Sequence, residues 1–310
     1  MSSAQGWTFP TVTLSNGMQM PILGIGTSQI GGFSQDTVLH ALRDCGIRLI
    51  DTSKYNGFEA QLAEVIRDCG IARGHLWLTN KLWPEDYGYE TAQSAFHKSC
   101  SHMGVKYLGT LARLVTTCLQ SVFLRIFSLV QLLDLYMLHW PDSMQPGHSS
   151  RQLRAEAWRA LEDLYDEGLC RSIGVSNFMI HHLEQLKQDC TVVPHVNQVE
   201  YHPFQQPNEL IEYCRHEGIT FQGYCPLAKG QALSNPTIIQ VAQKYGHTPA
   251  QICIRWSIQN RVITIPKSTK RERVAENCQV FDFQLEEEDM EAINKLHDGR
   301  HVAWDPTHVE

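Results

Sequence analysis

Eight short apolar runs punctuate the chain, and each ends in a residue able to do chemistry or to grip a ligand. Four are Ile22-Leu-Gly-Ile-Gly26-Thr27, Leu49-Ile before Asp51, Leu78-Thr-Asn before Lys81 and Tyr136-Met-Leu before His139. Ile173-Gly-Val before Ser176 and Asn177, Val196-Asn before Gln198, Gln222-Gly before Tyr224 and Ile263-Thr-Ile-Pro before Lys267 complete the series. Polar groups repeatedly set at the exits of buried strands are the pattern of an α/β fold of the (β/α)8 TIM-barrel kind, whose active site gathers at the carboxyl ends of its strands. Strands are predicted to start near Ile22, Arg48, Leu76, Leu135, Ser172, His195, Thr220 and Val262, with helical periodicity between them.

Capping residues sharpen the helices. Ser34 stands before Val38, Leu39, Ala41 and Leu42, and Asn208 before Leu210, Ile211, Tyr213 and Cys214, both types that satisfy free amides at a helix start. Arg154 to Glu167 has Ala157, Trp158, Leu161, Leu164 and Tyr165 on one face and Gly168 as its stop, an amphipathic helix. Pro249 sits in the first turn of a helix over 248–259, where proline is tolerated. Ahead of the barrel, Asn16-Gly17 between two alternating segments predicts a β-hairpin with a type I′ turn. That hairpin is expected to plug the amino-terminal end of the barrel.

One spacing is out of line. Leu76 and Leu135 lie 59 residues apart, about 25 more than a βα unit needs. The surplus is placed at Gly109–Leu133, an apolar insertion before the fourth strand. Phe127, Ser128, Leu129 and their neighbours are what a translated pyrimidine-rich splice acceptor would give, so an intron retained in frame is one reading. The chain is otherwise free of repeats and low-complexity linkers, and 1–310 is read as a single domain.

Composition narrows the partners. With 26 basic and 33 acidic residues the formal charge is −7, which argues against nucleic acid or an anionic membrane as the partner. Lys267, Lys270, Arg271 and Arg273 form a local basic cluster, which points to one anionic ligand. The ten cysteines show no CxxC pair and no metal-ligand spacing, and the histidines no HExxH; thiols reduced in the cytoplasm and no metal are expected. The polar Met1-Ser-Ser start is not a signal peptide, and the apolar stretch 111–133 contains Arg113 and Arg125, so no membrane span is expected. Without an association motif, a monomer is expected. Gly24-Ile-Gly26 lacks the third glycine of a dinucleotide fingerprint; tight packing at the first strand is its expected reason.

Seven segments in barrel order carry a family resemblance. They are Arg48-Leu-Ile-Asp51-Thr, Thr79-Asn-Lys81-Leu-Trp83, Leu135-Tyr-Met-Leu-His139-Trp-Pro, Gly174-Val-Ser-Asn177-Phe, Asn197-Gln198-Val-Glu, Tyr224-Cys-Pro-Leu227, and Ile265-Pro-Lys267-Ser268 with Arg273, Glu276 and Asn277. On these the chain resembles the aldo-keto reductase superfamily over nearly its whole length. The resemblance implies reversible hydride transfer between NADPH/NADP+ and a small-molecule carbonyl. It implies a catalytic set of Asp51, Tyr55, Lys81 and His139, with Trp83 walling the substrate pocket. Ser176, Asn177 and Gln198 would hold the carboxamide of the nicotinamide, an amide that suits their donors and acceptors. Tyr224 would stack on its ring. Lys267, Ser268 and Arg273 would clamp the 2′-phosphate, for which arginine is suited, and Glu276 and Asn277 would meet the adenine. Gly26, Thr27, Asp51 and Leu227 complete the implied cofactor contacts.

The chain departs from that family pattern in places. The family tyrosine follows the aspartate by five positions and a glutamate by eight; here Glu59 is at eight, Asn56 at five and Tyr55 at four. One position displaces a Cα by ~3.8 Å and, on a helical turn, rotates a side chain by about 100°. Either the loop slips so that Tyr55 reaches the site, or Asn56 fills the slot and turnover falls by ~10²–10⁴, the worth of a positioned acid. The second outcome would leave a catalytically weakened NADPH-binding redox sensor or interaction protein. Ser28 and Cys225 stand where many relatives carry tryptophan and serine, and the chain runs only six residues past Trp304. A short carboxyl-terminal loop and an open substrate pocket are therefore expected.

Overall fold

The computed structural model describes residues 8–105 and 133–310. Eight strands hydrogen-bond in parallel, each to the next in chain order. They are β3 (Gly24–Gly26), β4 (Leu49–Asp51), β5 (Trp77–Leu82), β6 (Leu133–Leu138), β7 (Cys170–Ser176), β8 (Val196–Glu200), β9 (Thr220–Tyr224) and β10 (Ile263–Thr264). A parallel bridge from Leu23 to Thr264 brings the last strand back to the first, with the Thr264 amide donating to the Ile22 carbonyl at 2.9 Å. Every residue of β5 and β6 is buried, because one face packs the barrel interior and the other the surrounding helices. The chain is a (β/α)8 barrel, and each strand begins within two residues of its predicted start.

Register sets the height of each polar side chain. Asp51 aligns with Gly26 and Thr79, Lys81 with Met137, and Ser176 with Gln198. Gly174 lets β7 and β8 approach, since a Cβ there would lie 2.6 Å from the Val196 carbonyl oxygen.

The antiparallel pair β1 (Thr11–Thr13) and β2 (Gln19–Pro21) forms the expected hairpin, but the turn differs. Only Gly17 is left-handed, at φ +83°, and Asn16 is not. Gly17 N donates to Leu14 O at 2.8 Å and Leu14 N to Met18 O at 2.9 Å, a three-residue loop in place of the two-residue type I′ turn. Asn16 has a different task. Its amide donates to Arg171 O at 2.9 Å and Ser172 Oγ at 3.1 Å, tying the hairpin to the amino end of β7. Beside it, buried Asp134 pairs with Arg73 at 2.7 Å and Arg171 at 3.2 Å and accepts from the Leu78 amide at 2.8 Å.

The helices follow their caps. Ser34 accepts from Thr37 N, and Thr248 and Gln251 form a reciprocal capping box. Helix Ser150–Asp166 begins four residues before Arg154, because Ser149 supplies the cap, and Gly168 ends it at φ +71°. Asn208 is not a cap: it is the first residue of helix Asn208–His216, preceded by Pro207, with no side-chain cap bond. Of the insertion, 109–132 lies outside the described residues; Leu133 is already strand, paired with Cys170. Among the described residues no helix is long and apolar enough to cross a membrane.

Candidate active site

The exits of β4 and β5 bring a carboxylate and an ammonium together. Lys81 Nζ donates to Asp51 Oδ1 at 2.6 Å and to Thr52 O at 3.1 Å, and the two side chains are only 4% and 7% exposed. Gln198, from the exit of β8, donates to Asp51 Oδ2 at 2.7 Å and to Gln222 Oε1 at 3.1 Å. The carboxylate is thus held on both oxygens. Two charges this dry persist because each is paired and hydrogen-bonded. Among the described residues Lys81 has two acceptors for its three N–H bonds.

A second network joins β6, β7 and β9. Asn177, held at φ +64°, donates to the His139 carbonyl at 3.0 Å and to Ser176 Oγ at 3.2 Å. Its own carbonyl accepts from Tyr224 OH at 2.8 Å, and Ser176 Oγ donates to Gln198 O at 2.9 Å. Burial, with the Lys81 charge second, holds the His139 imidazole well below the usual histidine range, so it is neutral. Its Nδ1 is buried with no partner among the described residues. Thr27 Oγ1 donates to Thr52 Oγ1 at 2.8 Å and accepts from the Asn56 amide at 3.5 Å.

Residues 54–56 form a single 3₁₀ turn capped by Ser53, and it sends the two neighbours different ways. Asn56 points to Thr27. Tyr55 stacks on Trp83, with centroids 4.1 Å apart, and meets His139 edge-on at 6.1 Å. Trp304 joins them at 5.3 Å from Tyr55, 5.7 Å from Trp83 and 5.9 Å from His139. The carboxyl-terminal segment therefore adds a further aromatic ring to this cluster, with Trp304 and Tyr55 both still exposed. Its anchor is Glu200, which accepts from His202 at 2.8 Å, Val302 N at 2.7 Å, His301 at 3.1 Å and Ala303 N at 3.2 Å. Burial alone would raise that carboxyl; its bonds to His202 and the Val302 amide outweigh it and hold it below the usual range. Glu200 and Trp304 were not among the predicted site residues. Glu200 is nonetheless one more polar side chain at a strand exit, two positions after Gln198.

The basic end is built on β10 and helix Arg271–Cys278. Half-buried Lys267 donates to the Ile30 carbonyl, and burial lowers its pKa. Ser268 Oγ accepts from Lys270 N at 3.1 Å. Glu276 accepts from Thr248 Oγ1 at 2.6 Å, and Asn277 is buried. Arg273 is exposed and has no carboxylate partner among the described residues. Arg271 differs: Asp36 takes it up at 3.3 Å and Asp44 at 3.6 Å. Leu227 packs on the core where the loop after β9 turns. Gly26 N donates to Pro266 O at 3.1 Å, the expected tight packing. No group of metal ligands occurs among the described residues.

A model of the aldo/keto reductase family matches residues 22–112 and 122–298. The chain belongs to the aldo-keto reductase family. The gap in the match, 113–121, falls within the segment read as an insertion. Glyoxal reductase of Bacillus subtilis is 38% identical to this aldo-keto reductase over 298 residues, covering 96% of each protein. An aldo-keto reductase from a Medee basin deep-sea metagenome, MGS-M4, superposes with a TM-score of 0.82 at 35% identity, over 97% of this chain and 100% of that one. A Bombyx mori aldo-keto reductase solved in complex with NADP gives 0.80 at 28% identity, over 95% of both chains. As a member of this family the chain is an oxidoreductase.

Proposed function

We propose that this chain reduces aldehydes or ketones to alcohols with NADPH bound along the strand exits. The observation that carries the reading is the buried Asp51–Lys81 pair, set at the same barrel end as neutral His139 and the Ser176–Asn177–Gln198 network. The residues suit the cofactor, since Arg273 is an exposed cation with no carboxylate partner among the described residues and Lys267 lies six positions before it. Lys267, Ser268 and Arg273 would hold the 2′-phosphate, and Glu276 and Asn277 the adenine. Ser176, Asn177 and Gln198 would grip the carboxamide, Tyr224 would cover one ring face, and Gly26, Thr27, Asp51 and Leu227 would line the remaining path. NADPH, when bound, supplies the hydride.

The protein supplies the proton and the orientation. Tyr55 is read as the acid: its ring packs against Trp83 and His139, whereas Asn56 turns to Thr27, and an amide gives up no proton near neutral pH. The Lys81 ammonium would stabilise the phenolate left behind. Neutral His139 would hydrogen-bond the substrate oxygen and fix its approach, with Trp83 as a wall.

A second reading is a weakened cofactor-binding protein. It draws on Asn56 at the family's tyrosine position and on the Tyr55 hydroxyl, which has no hydrogen bond among the described residues. One experiment separates the two: titrate NADPH by fluorescence quenching, then add glyoxal and follow nicotinamide absorbance. Binding with turnover supports the reductase; binding without turnover supports the second reading.

A further inference from the structure

Glu200 is a buried carboxylate that the reductase chemistry leaves without a role. It stands two positions after Gln198 on β8, so both side chains share one face of the strand. Its oxygens take the Val302 amide at 2.7 Å and the Ala303 amide at 3.2 Å. His301 Nδ1 lies 3.1 Å from Oε2, and His202 Nε2 lies 2.8 Å from Oε1. Gln205 at 2.8 Å and Asp305 at 3.5 Å flank the other nitrogen of His301. Residues 301–310 form no helix or strand, so these side-chain bonds satisfy and fix a backbone that regular structure does not hold.

The ring fixed in this way is Trp304, the residue after Ala303. It meets Tyr55 at 5.3 Å, Trp83 at 5.7 Å, His139 at 5.9 Å and Trp140 at 5.8 Å. Five residues on, the Val309 carbonyl accepts from His181 and His182 at 2.8 Å each. The segment is thus tied on both sides of the indole. Trp304 keeps 41% of its surface exposed and Tyr55 38%. Aromatic faces left open beside His139 favour a ligand with a flat π system, which gains from offset or edge-to-face contact. A small dicarbonyl such as glyoxal has no ring to offer and gains nothing there.

We propose that Glu200 is a positioning residue. Through Val302, Ala303 and His301 it sets the Trp304 ring, and that ring selects carbonyls joined to a flat aromatic or conjugated system over small aliphatic dicarbonyls. The proposal rests on the reductase reading for its rates and names the substrate class of that same site. Glu200 acts only through the ring and meets neither substrate nor cofactor. Its strand also carries Gln198, which holds Asp51, so Trp304 is registered against the same frame as the buried ion pair.

The test compares kcat/KM for 2-naphthaldehyde with that for glyoxal. The unaltered chain should favour 2-naphthaldehyde, and Trp304→Ala should cut that preference ~3–10-fold, the worth of one aromatic contact. Glu200→Gln should cut it in the same direction. His301→Ala, at a side chain 18% exposed, makes the same test should Glu200→Gln fail to fold. Combined with Trp304→Ala, His301→Ala should lower the preference no further than Trp304→Ala alone, because anchor and ring are coupled. A double variant that loses the product of the two single factors would overturn the proposal. So would an unaltered chain without the preference, or single variants that slow both aldehydes equally. Binding of 2-naphthaldehyde is read separately by ligand-observed NMR, with and without NADPH, and Trp304→Ala and His301→Ala should both weaken it. If neither aldehyde is reduced, the reductase reading fails and this binding measurement alone decides; undiminished binding in both variants would overturn the proposal.

Discussion

Tyr55 lies flat on Trp83, with ring centroids 4.1 Å apart and planes 22° from parallel. That stack sets the phenol beside His139, whose ring meets both aromatics edge-on. Replacing Tyr55 with Phe should keep the stack and remove only the hydroxyl. We expect turnover to fall by ~10²–10⁴ while NADPH affinity by fluorescence quenching stays the same. An unchanged rate would remove Tyr55 from the mechanism.

Lys81→Met tests the buried pair. It leaves Asp51 dry and without its cation, which costs about 3–5 kcal/mol when a buried partner is lost. Urea unfolding should show that loss, and the variant should have no carbonyl-reducing activity. Lys81→Met and Asp51→Leu combined should recover part of the stability and none of the activity. A single variant as stable as the parent would show that the pair carries no such strain.

The proposed phosphate clamp predicts cofactor choice. Arg273→Gln would remove a charge-assisted contact to the 2′-phosphate, worth about 1.5–3 kcal/mol, so NADPH should bind ~10–100-fold more weakly. NADH, which has no such phosphate, should be affected little. Calorimetric titration with both cofactors checks this, and equal weakening of the two would point away from the assignment.

Buried neutral histidines set the acid limb of stability. His139 lies well below the usual range, burial lowers His195, and His182 is pushed down to about 4, chiefly by burial. In each the folded state binds fewer protons than the unfolded chain, whose histidines titrate near 6.5. Stability is therefore full above about pH 6.5 and falls as pH drops from there towards 4. Melting temperatures should follow that slope, and His182→Gln should flatten it. A flat profile over this interval would contradict the assignment.

Much of this architecture was legible from the chain, because a buried strand with a polar exit residue repeats eight times and each repeat is local. Ser34, Pro249 and Gly168 did what their types predict. The failures were of two physical kinds. Asn16-Gly17 was read from a dipeptide, but the turn obeys Asn16's distant bond to β7, which leaves only Gly17 left-handed. The Glu200 anchor and the Trp304 contacts join residues a hundred or more positions apart, and such contacts leave no periodic trace in the sequence. The positions of Tyr55 and Asn56 hung on one residue of a 3₁₀ turn, a rotation that spacing alone could not supply.

The most direct test of the central claim is nicotinamide absorbance in the purified chain, with NADPH present, when glyoxal or another small aldehyde is added. Steady loss of absorbance, matched mole for mole by alcohol formed, is the expected result. Saturable NADPH binding with no loss of absorbance across a panel of aldehydes and ketones would contradict it.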